Sequence, residues 1–393
     1  MKKLSIIIAL SLIFSLVGNL FGEYRADKPS GEGTKESPYL MESLENLLWL
    51  SDNVTNVVSG SYFLQTKDID AGETKGWRDG KGFPPIGICD YKNYSTGSSN
   101  VRFFNGTYDG DNHVIYGLNF AIYQPDVCCG LFGGVTNSVL KNIVLDDVTM
   151  DASSFTCAGL AAYVVRTSIS NCHVSITFTQ KGDESSGIGG LVGFIEKFAE
   201  IDCCSAKVNN LKGGNLGGLV GGCEGGLTVL DQESISIRKC FTEGNIYGDV
   251  IGGIIGDASA YKIVMEDCYS WAGISKRYLP AGGITAYGAA GCKNCYYFGK
   301  IENANPISGE PSQSACSGVY YCSEQGSDPS PGTIGKTYAE LLKKETYEGW
   351  DFENTWYIEE DVSLPTLSWE MPEPCIASLF ALILGMFMMK RNV

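Results

Sequence analysis

The chain has 393 residues, enough for two or three ordinary domains or one elongated one, which excludes a peptide hormone or a minimal binding module. Its 49 glycines lie well above the usual share of about 7%, while charged residues make up only 19%, so repetition is indicated rather than disorder. A net charge of −16 without any basic run excludes nucleic acid as a partner. Two histidines sixty residues apart, His113 and His173, leave little for a zinc cluster or a histidine-centred triad, so hydrolysis would rest on carboxylates.

Residues 1–22 read as a secretory signal peptide, with Lys2 and Lys3 before an apolar run over 4–17 and small residues at Gly18 and Gly22; a membrane anchor is the alternative. Residues 23–60 read as a lead-in segment and N-terminal cap. There Leu44, Leu47 and Leu48 favour a short amphipathic helix over 41–50 that covers an open sheet end. A β region is expected over 61–300, with a strand between Tyr62 and Asp70, an exposed insertion at 76–82 and a first well-formed coil from Phe104 to Leu118. Asp109 and Asp111 in that coil are candidate calcium ligands, although turn carboxylates bonded to their own backbone are the plainer reading, because the longer calcium-loop pattern is missing.

From about residue 126 a six-residue glycine motif recurs six times: CGLFGG, AGLAAY, GGLVGF, GGLVGG, GGIIGD and GGITAY. Its second residues, Gly130, Gly159, Gly190, Gly218, Gly253 and Gly283, are 28 to 35 residues apart. Glycine allows positive φ and close backbone approach, so each motif is expected to turn a corner with Leu191 or Leu219 pointing inward. Ala162 and Ala286 replace the last glycine in two copies.

A second block follows each motif, and its fourth residues form a column: Ile143, Cys172, Cys204, Cys240, Cys268 and Cys295. Alternation around the column indicates short half-buried strands, and units this small must stack to bury an apolar face. Adjacent coils about 4.8 Å apart hold such cysteines too far apart for an unstrained disulfide, which favours buried free thiols. Bridges elsewhere in the repeats remain an alternative. Cys292-Lys-Asn-Cys295 lacks the second pair of a metal knuckle.

Residues 301–335 are rich in Ser, Pro and Gly and read as an irregular crossing, in which Cys316 and Cys322 are placed for a local disulfide. Residues 336–370 read as a C-terminal cap: Thr337 and Glu340 make a capping-box pattern, and Trp350, Phe352, Trp356, Leu364, Leu367 and Trp369 form a set too apolar to leave exposed. A sugar-stacking platform is the other reading of that set.

Over 371–393, Pro372-Glu373-Pro374, an apolar run and Lys390-Arg391 resemble the PEP-CTERM sorting signal, although Asn392 and Val393 follow the basic pair. That resemblance implies a Gram-negative source, transient membrane contact through the termini and removal of the tail by an exosortase-like enzyme. A plain membrane anchor is the alternative.

The blocks GTKESPYL and FNGTYDGDNHVIYGL, the six glycine motifs and the terminal GWDFENTWYIEEDVSLPTLSWE resemble GLUG-repeat bacterial surface proteins, which occur beside IgA-peptidase-like β-helical regions. The expected fold is all-β: a right-handed parallel β-helix or solenoid of about 30-residue coils with short helical or aromatic caps. The family's protease-like members carry catalytic domains outside such repeats, and this chain has neither an HExxH nor a GxSxG motif. The expected function is therefore a non-enzymatic exported protein, extracellular or on the outer cell surface, serving adhesion or structural display. Its expected partners are extracellular polysaccharide or other surface proteins, and no cofactor beyond calcium is called for. The alternative is a polysaccharide-binding or polysaccharide-cleaving β-helix using surface carboxylates such as Asp146, Asp147 and Asp151.

Overall fold

The structure, a computed structural model, describes residues 24–57, 59–89, 101–121, 127–151, 156–179, 187–223, 234–258, 262–287, 290–310 and 315–370. The leader and tail read at 1–22 and 371–393 lie outside these residues. Strands pair into sheets of ten, seventeen and six, and every strand-to-strand pairing is parallel except that of Trp356–Tyr357 with Thr366–Leu367.

Each repeat places strands in all three large sheets, paired with the same position of the next repeat. Ile169 faces Ile201 in the first sheet, Val174 faces Ala206 in the second, and Val192 faces Val220 in the third. Alternation decides which side chains enter the core. In Ser234–Arg238, Ile235 and Ile237 are buried while Ser236 and Arg238 are not. Leu140, Ile169, Ile201, Ile237, Met265 and Cys292 thus form one buried column. Burial of each aliphatic member contributes about 1.5–3 kcal/mol.

The glycine motifs occupy the passage from the second sheet to the third, and of the two uses read from sequence, positive φ and close backbone approach, they show the second. None of Gly130, Gly159, Gly190, Gly218, Gly253 and Gly283 has positive φ. They are required by proximity. A Cβ would lie 2.6 Å from the Ala158 carbonyl oxygen at Gly130, 2.4 Å from Val174 Cγ1 at Gly159 and 2.4 Å from the Gly218 oxygen at Gly190. At Gly218, Gly253 and Gly283 the same distance to the next coil's carbonyl oxygen is 2.1, 1.9 and 2.0 Å. The apolar residues after them, Leu131, Leu160, Leu191, Leu219, Ile254 and Ile284, are fully buried.

The left-handed corner lies instead between the first and second sheets, one residue before the cysteine column. Asn142, Asn171, Cys203, Lys239, Asp267 and Asn294 all have φ between 49° and 56°. Asn and Asp tolerate this conformation because their short side chains bond locally. The column residue then turns inward. Cys172, Cys204, Cys240, Cys268 and Cys295 are buried free thiols, each aimed at the carbonyl two residues back, at 3.3, 3.1, 2.9, 3.3 and 3.2 Å. Ile143 is buried in the same column.

The stack is longer than the region assigned from sequence. It begins at Tyr39–Met41, which pairs with Ser61–Gln65, and the helix Leu44–Asn53 buries Leu44, Leu47, Leu48 and Leu50 at that end. The span 76–82 is exposed at Gly76, Asp79, Gly80 and Lys81, as expected, but it is anchored by Trp77, which is buried and packs against Phe83. Parallel pairing also continues through the segment read as irregular, over Ile301–Glu302, Ala315–Ser317, Val319–Cys322 and Thr333–Lys336. Cys316 therefore faces Cys292 on the first sheet, Cys322 ends a strand of the second, and both are free thiols, so the local disulfide is not formed.

Gly253→Ala should lower stability by about 1–3 kcal/mol or more, because the carbonyl it would strike belongs to rigid backbone. Gly76→Ala, where a Cβ meets nothing within 4 Å, should change stability by less than about 0.5 kcal/mol. Urea unfolding of the two variants measures the contrast.

Candidate functional site

The residue after each cysteine-column position opens a second-sheet strand and points outward. Val144, His173, Ser205, Phe241, Tyr269, Tyr296 and Tyr320 thereby form one row in register. Phe241 stacks on Tyr269 at 5.0 Å and Tyr269 on Tyr296 at 5.1 Å. The 337–370 segment lies along this aromatic row, not across the end of the stack. Its Thr337–Glu340 capping box opens the short helix Tyr338–Leu341, and Trp350 and Trp356 pack on Tyr296. Trp356 donates to Asp267, while the Tyr296 hydroxyl donates to the Pro365 carbonyl. The expected cap is a lateral strap.

The strap's last described turn reaches the smaller residues of the row. The Trp369 ring lies 5.0 Å from His173 and 5.6 Å from Phe241, with Ser205 between them in the row, and its indole nitrogen donates to the Lys239 carbonyl. Beyond Trp369 is a groove of about 290 Å³ whose walls include Asp146, His173, Ser175, Ser205, Lys207 and Glu243.

Hydrogen bonding in that groove fixes the state of one histidine. Asn171, at the left-handed corner, donates through Nδ2 to Oδ1 of Asn112 at 2.8 Å and to Oδ1 of Asn142 at 2.9 Å. Its own Oδ1 therefore faces His173 Nε2, 3.1 Å away, and can only accept. Nε2 must carry the proton, which leaves the Nδ1 lone pair to accept from the Ser205 hydroxyl at 3.0 Å. Burial holds the His173 pKa below the usual histidine value, so the ring is neutral at pH 7. A hydroxyl on an unprotonated imidazole nitrogen, with the other nitrogen oriented by an amide oxygen, is the arrangement of nucleophile, base and orienting group.

The relay is anchored on Asp109. Asn142 Nδ2 donates to Asp109 Oδ1 at 2.8 Å, and Lys141 Nζ lies 2.7 Å from Oδ2. Burial pushes the Asp109 pKa up, but Lys141, Asn142 and the Asp111 amide outweigh it and hold the carboxyl below its ordinary value. Asp109 thus serves the asparagine ladder, while Asp111 is an exposed left-handed turn residue. Asp146 lines the groove, Asp147 is the left-handed residue at a register shift within the strand Val144–Met150, and Asp151 follows that strand with one buried oxygen unpartnered. His113 bonds Asp68. Sequence reasoning missed Ser205, Asn171 and Lys207, although the fifth residues of the repeat blocks already set Ser205 one repeat after His173.

No family model matches the chain. It is 34% identical over 183 residues to halomucin of Haloquadratum walsbyi, a match covering 46% of this chain but only 2% of that protein. Among solved structures it is similar to a putative immunoglobulin A1 protease from Bacteroides ovatus, at a TM-score of 0.54 and 19% identity, covering 86% of this chain and 94% of that one. A second, named IgA1 protease, gives a TM-score of 0.52 at 18% identity, covering 72% of this chain and 21% of the other. At these identities the likeness is one of fold. The expectation of a non-enzymatic protein is corrected on these matches, one to a protein named a putative immunoglobulin A1 protease and one to a protein named IgA1 protease. Lack of a familiar motif was too little on which to exclude an enzyme.

Glu370 ties the strap down by accepting from Tyr269 OH at 2.7 Å and the Leu367 amide at 2.6 Å. Burial, with Glu243 nearby, raises its pKa from 4.5 to about 7 against the lowering effect of those bonds. A raised folded pKa gives stability that is complete below about 4.5 and lost as pH rises through about 7. His173, with a depressed value, works in the opposite direction. The difference in strap stability between the parent and Glu370→Gln, followed by tryptophan fluorescence from pH 4 to 8, should therefore change across that window.

Proposed function

We propose that the chain is an extracellular or cell-surface serine hydrolase of protease type, with Ser205 as nucleophile, His173 as base and Asn171 as the group orienting His173. The observation that carries this reading is the 3.0 Å contact of Ser205 Oγ with an Nδ1 that the asparagine ladder leaves unprotonated. The names of the solved proteins of like fold supply the reaction class, and likeness to halomucin supports a surface location. No described helix is long and apolar enough to cross a membrane.

In this reading the three sheets wind as a right-handed parallel β-helix of GLUG type that lays a peptide along its flank. Ser205 Oγ bonds to the substrate carbonyl carbon as its proton passes to His173 Nδ1. The Nε2–H bond to Asn171 Oδ1 stabilises the imidazolium, and Lys207, on the groove wall, offers positive charge to the developing oxyanion. Collapse breaks the acyl–nitrogen bond, and the leaving amine takes the proton from Nδ1. Water then repeats the sequence on the acyl-enzyme. Export through residues 1–22 and exosortase-like removal of 371–393 complete the proposal.

A fluorophosphonate probe should label the exported protein at Ser205. Ser205→Ala should abolish the labelling, and Asn171→Gly, which keeps the left-handed corner while removing the orienting amide, should slow it by about 10²–10⁴-fold. Equal labelling of the parent and Ser205→Ala would rule out this centre.

A further inference from the structure

A second concave site lies near the beginning of the stack. It encloses about 550 Å³, and Arg78, Lys81 and Arg102 line it together with one described carboxylate, Asp52. On a chain of net charge −16, this concentration of positive charge runs against the whole molecule. Among the described residues none of the three cations makes an ion pair within 4 Å, although Arg78 acts electrostatically on Asp52, whose pKa burial raises. The other described residues of the wall are largely apolar, with half-buried Pro84 and Pro85 and exposed Ile88.

The backbone holds these groups in place at a conformational cost. Arg78 and Asp79 are consecutive left-handed residues, φ 52° and 57°, a conformation that side chains bearing a Cβ disfavour. The turn is closed by the Gly82 amide donating to the Trp77 carbonyl at 3.2 Å, and Trp77 is buried. Lys81 is tied by its carbonyl, which accepts from the Ala121 amide at 3.0 Å. Arg102 exchanges backbone hydrogen bonds with Ile88 at 2.7 and 2.8 Å. The Ser51 hydroxyl lies 3.0 Å from the carbonyl oxygens of both Pro84 and Pro85, which sets the apolar wall. Glycine would suit position 78 better for folding alone. An arginine kept in left-handed backbone at the mouth of a cavity is strain stored at a binding position.

We propose that this cavity binds an organic oxyanion, a carboxylate or sulfate carried on a small apolar body, with Arg78 and Arg102 gripping the anion and Pro84, Pro85 and Ile88 covering the body. Guanidinium groups match planar two-oxygen acceptors, and a partly desolvated wall strengthens the pairing. This inference is independent of the Ser205 centre.

The test is isothermal titration of the full chain with benzoate and phenyl sulfate, against benzyl alcohol and inorganic sulfate. Benzoate and phenyl sulfate should bind and weaken as salt rises, and each control should be at least about tenfold weaker. Arg78→Gly and Arg102→Gln should each lower affinity at least about tenfold. Arg78→Gly should also melt no lower than the parent, because glycine relieves the left-handed turn. Benzyl alcohol binding as well as benzoate, or inorganic sulfate as well as phenyl sulfate, would overturn the proposal. So would unchanged affinity in both variants. Fluorophosphonate labelling of Arg78→Gly should equal that of the parent, which separates failure here from failure of the hydrolase reading.

Discussion

Backbone meets backbone along one edge of this protein, and the rest of the stack is set by how closely it does so. At Gly218, Gly253 and Gly283 the next coil's carbonyl oxygen occupies the space a side chain would need. That contact fixes the spacing and register of neighbouring repeats at the passage between the second and third sheets. With register fixed, the aliphatic residue after each glycine falls into the core, and the first-sheet column from Leu140 to Cys292 aligns without further instruction. A parallel sheet of this kind has no independent hairpins, so each coil depends on its neighbours for both hydrogen bonds and burial.

Fixed register also makes the outer face chemically specific. Side chains one repeat apart become neighbours, so sequence spacing translates into contact. The left-handed corner stacks Asn142 on Asn171 and directs their amides along the stack, with Asp109 at one end and His173 at the other. Two positions on from Asn171, the same register sets His173 beside Ser205. The lateral strap completes the site by placing Trp369 over the row, which removes solvent from one side of the imidazole. Architecture and candidate chemistry therefore have the same origin: a local corner repeated at a constant interval.

Much of the architecture was legible in the sequence, because glycine and cysteine recur in columns that only stacking explains. The mechanics of the glycines were less legible. Positive φ and close approach both call for glycine, and composition does not separate them; in the folded chain the left-handed role falls to Asn142, Asn171, Cys203, Lys239, Asp267 and Asn294. The strands beyond residue 300 were hidden because they lack the glycine motif, although Ile307 and Ser308 continue the stack with their amides held by Asp328. The candidate site was hidden for another reason. Two histidines looked like too little material when judged by sequence distance, whereas neighbours in a stacked fold are a repeat apart. The fifth-residue column held Ser205 and His173 together, next to the cysteine column that drew attention first.

The tautomer of His173 tests the account most directly, since it depends at once on register, on the left-handed corner and on the amide ladder. The chain has only two histidines, so long-range proton–nitrogen correlation on nitrogen-15-labelled protein can be assigned by replacing His113. The account predicts a neutral His173 protonated at Nε2 and bare at Nδ1 at pH 7, which titrates below the ordinary histidine value because the ring is buried. A proton on Nδ1, or a His173 that titrates at or above the ordinary value, would contradict it.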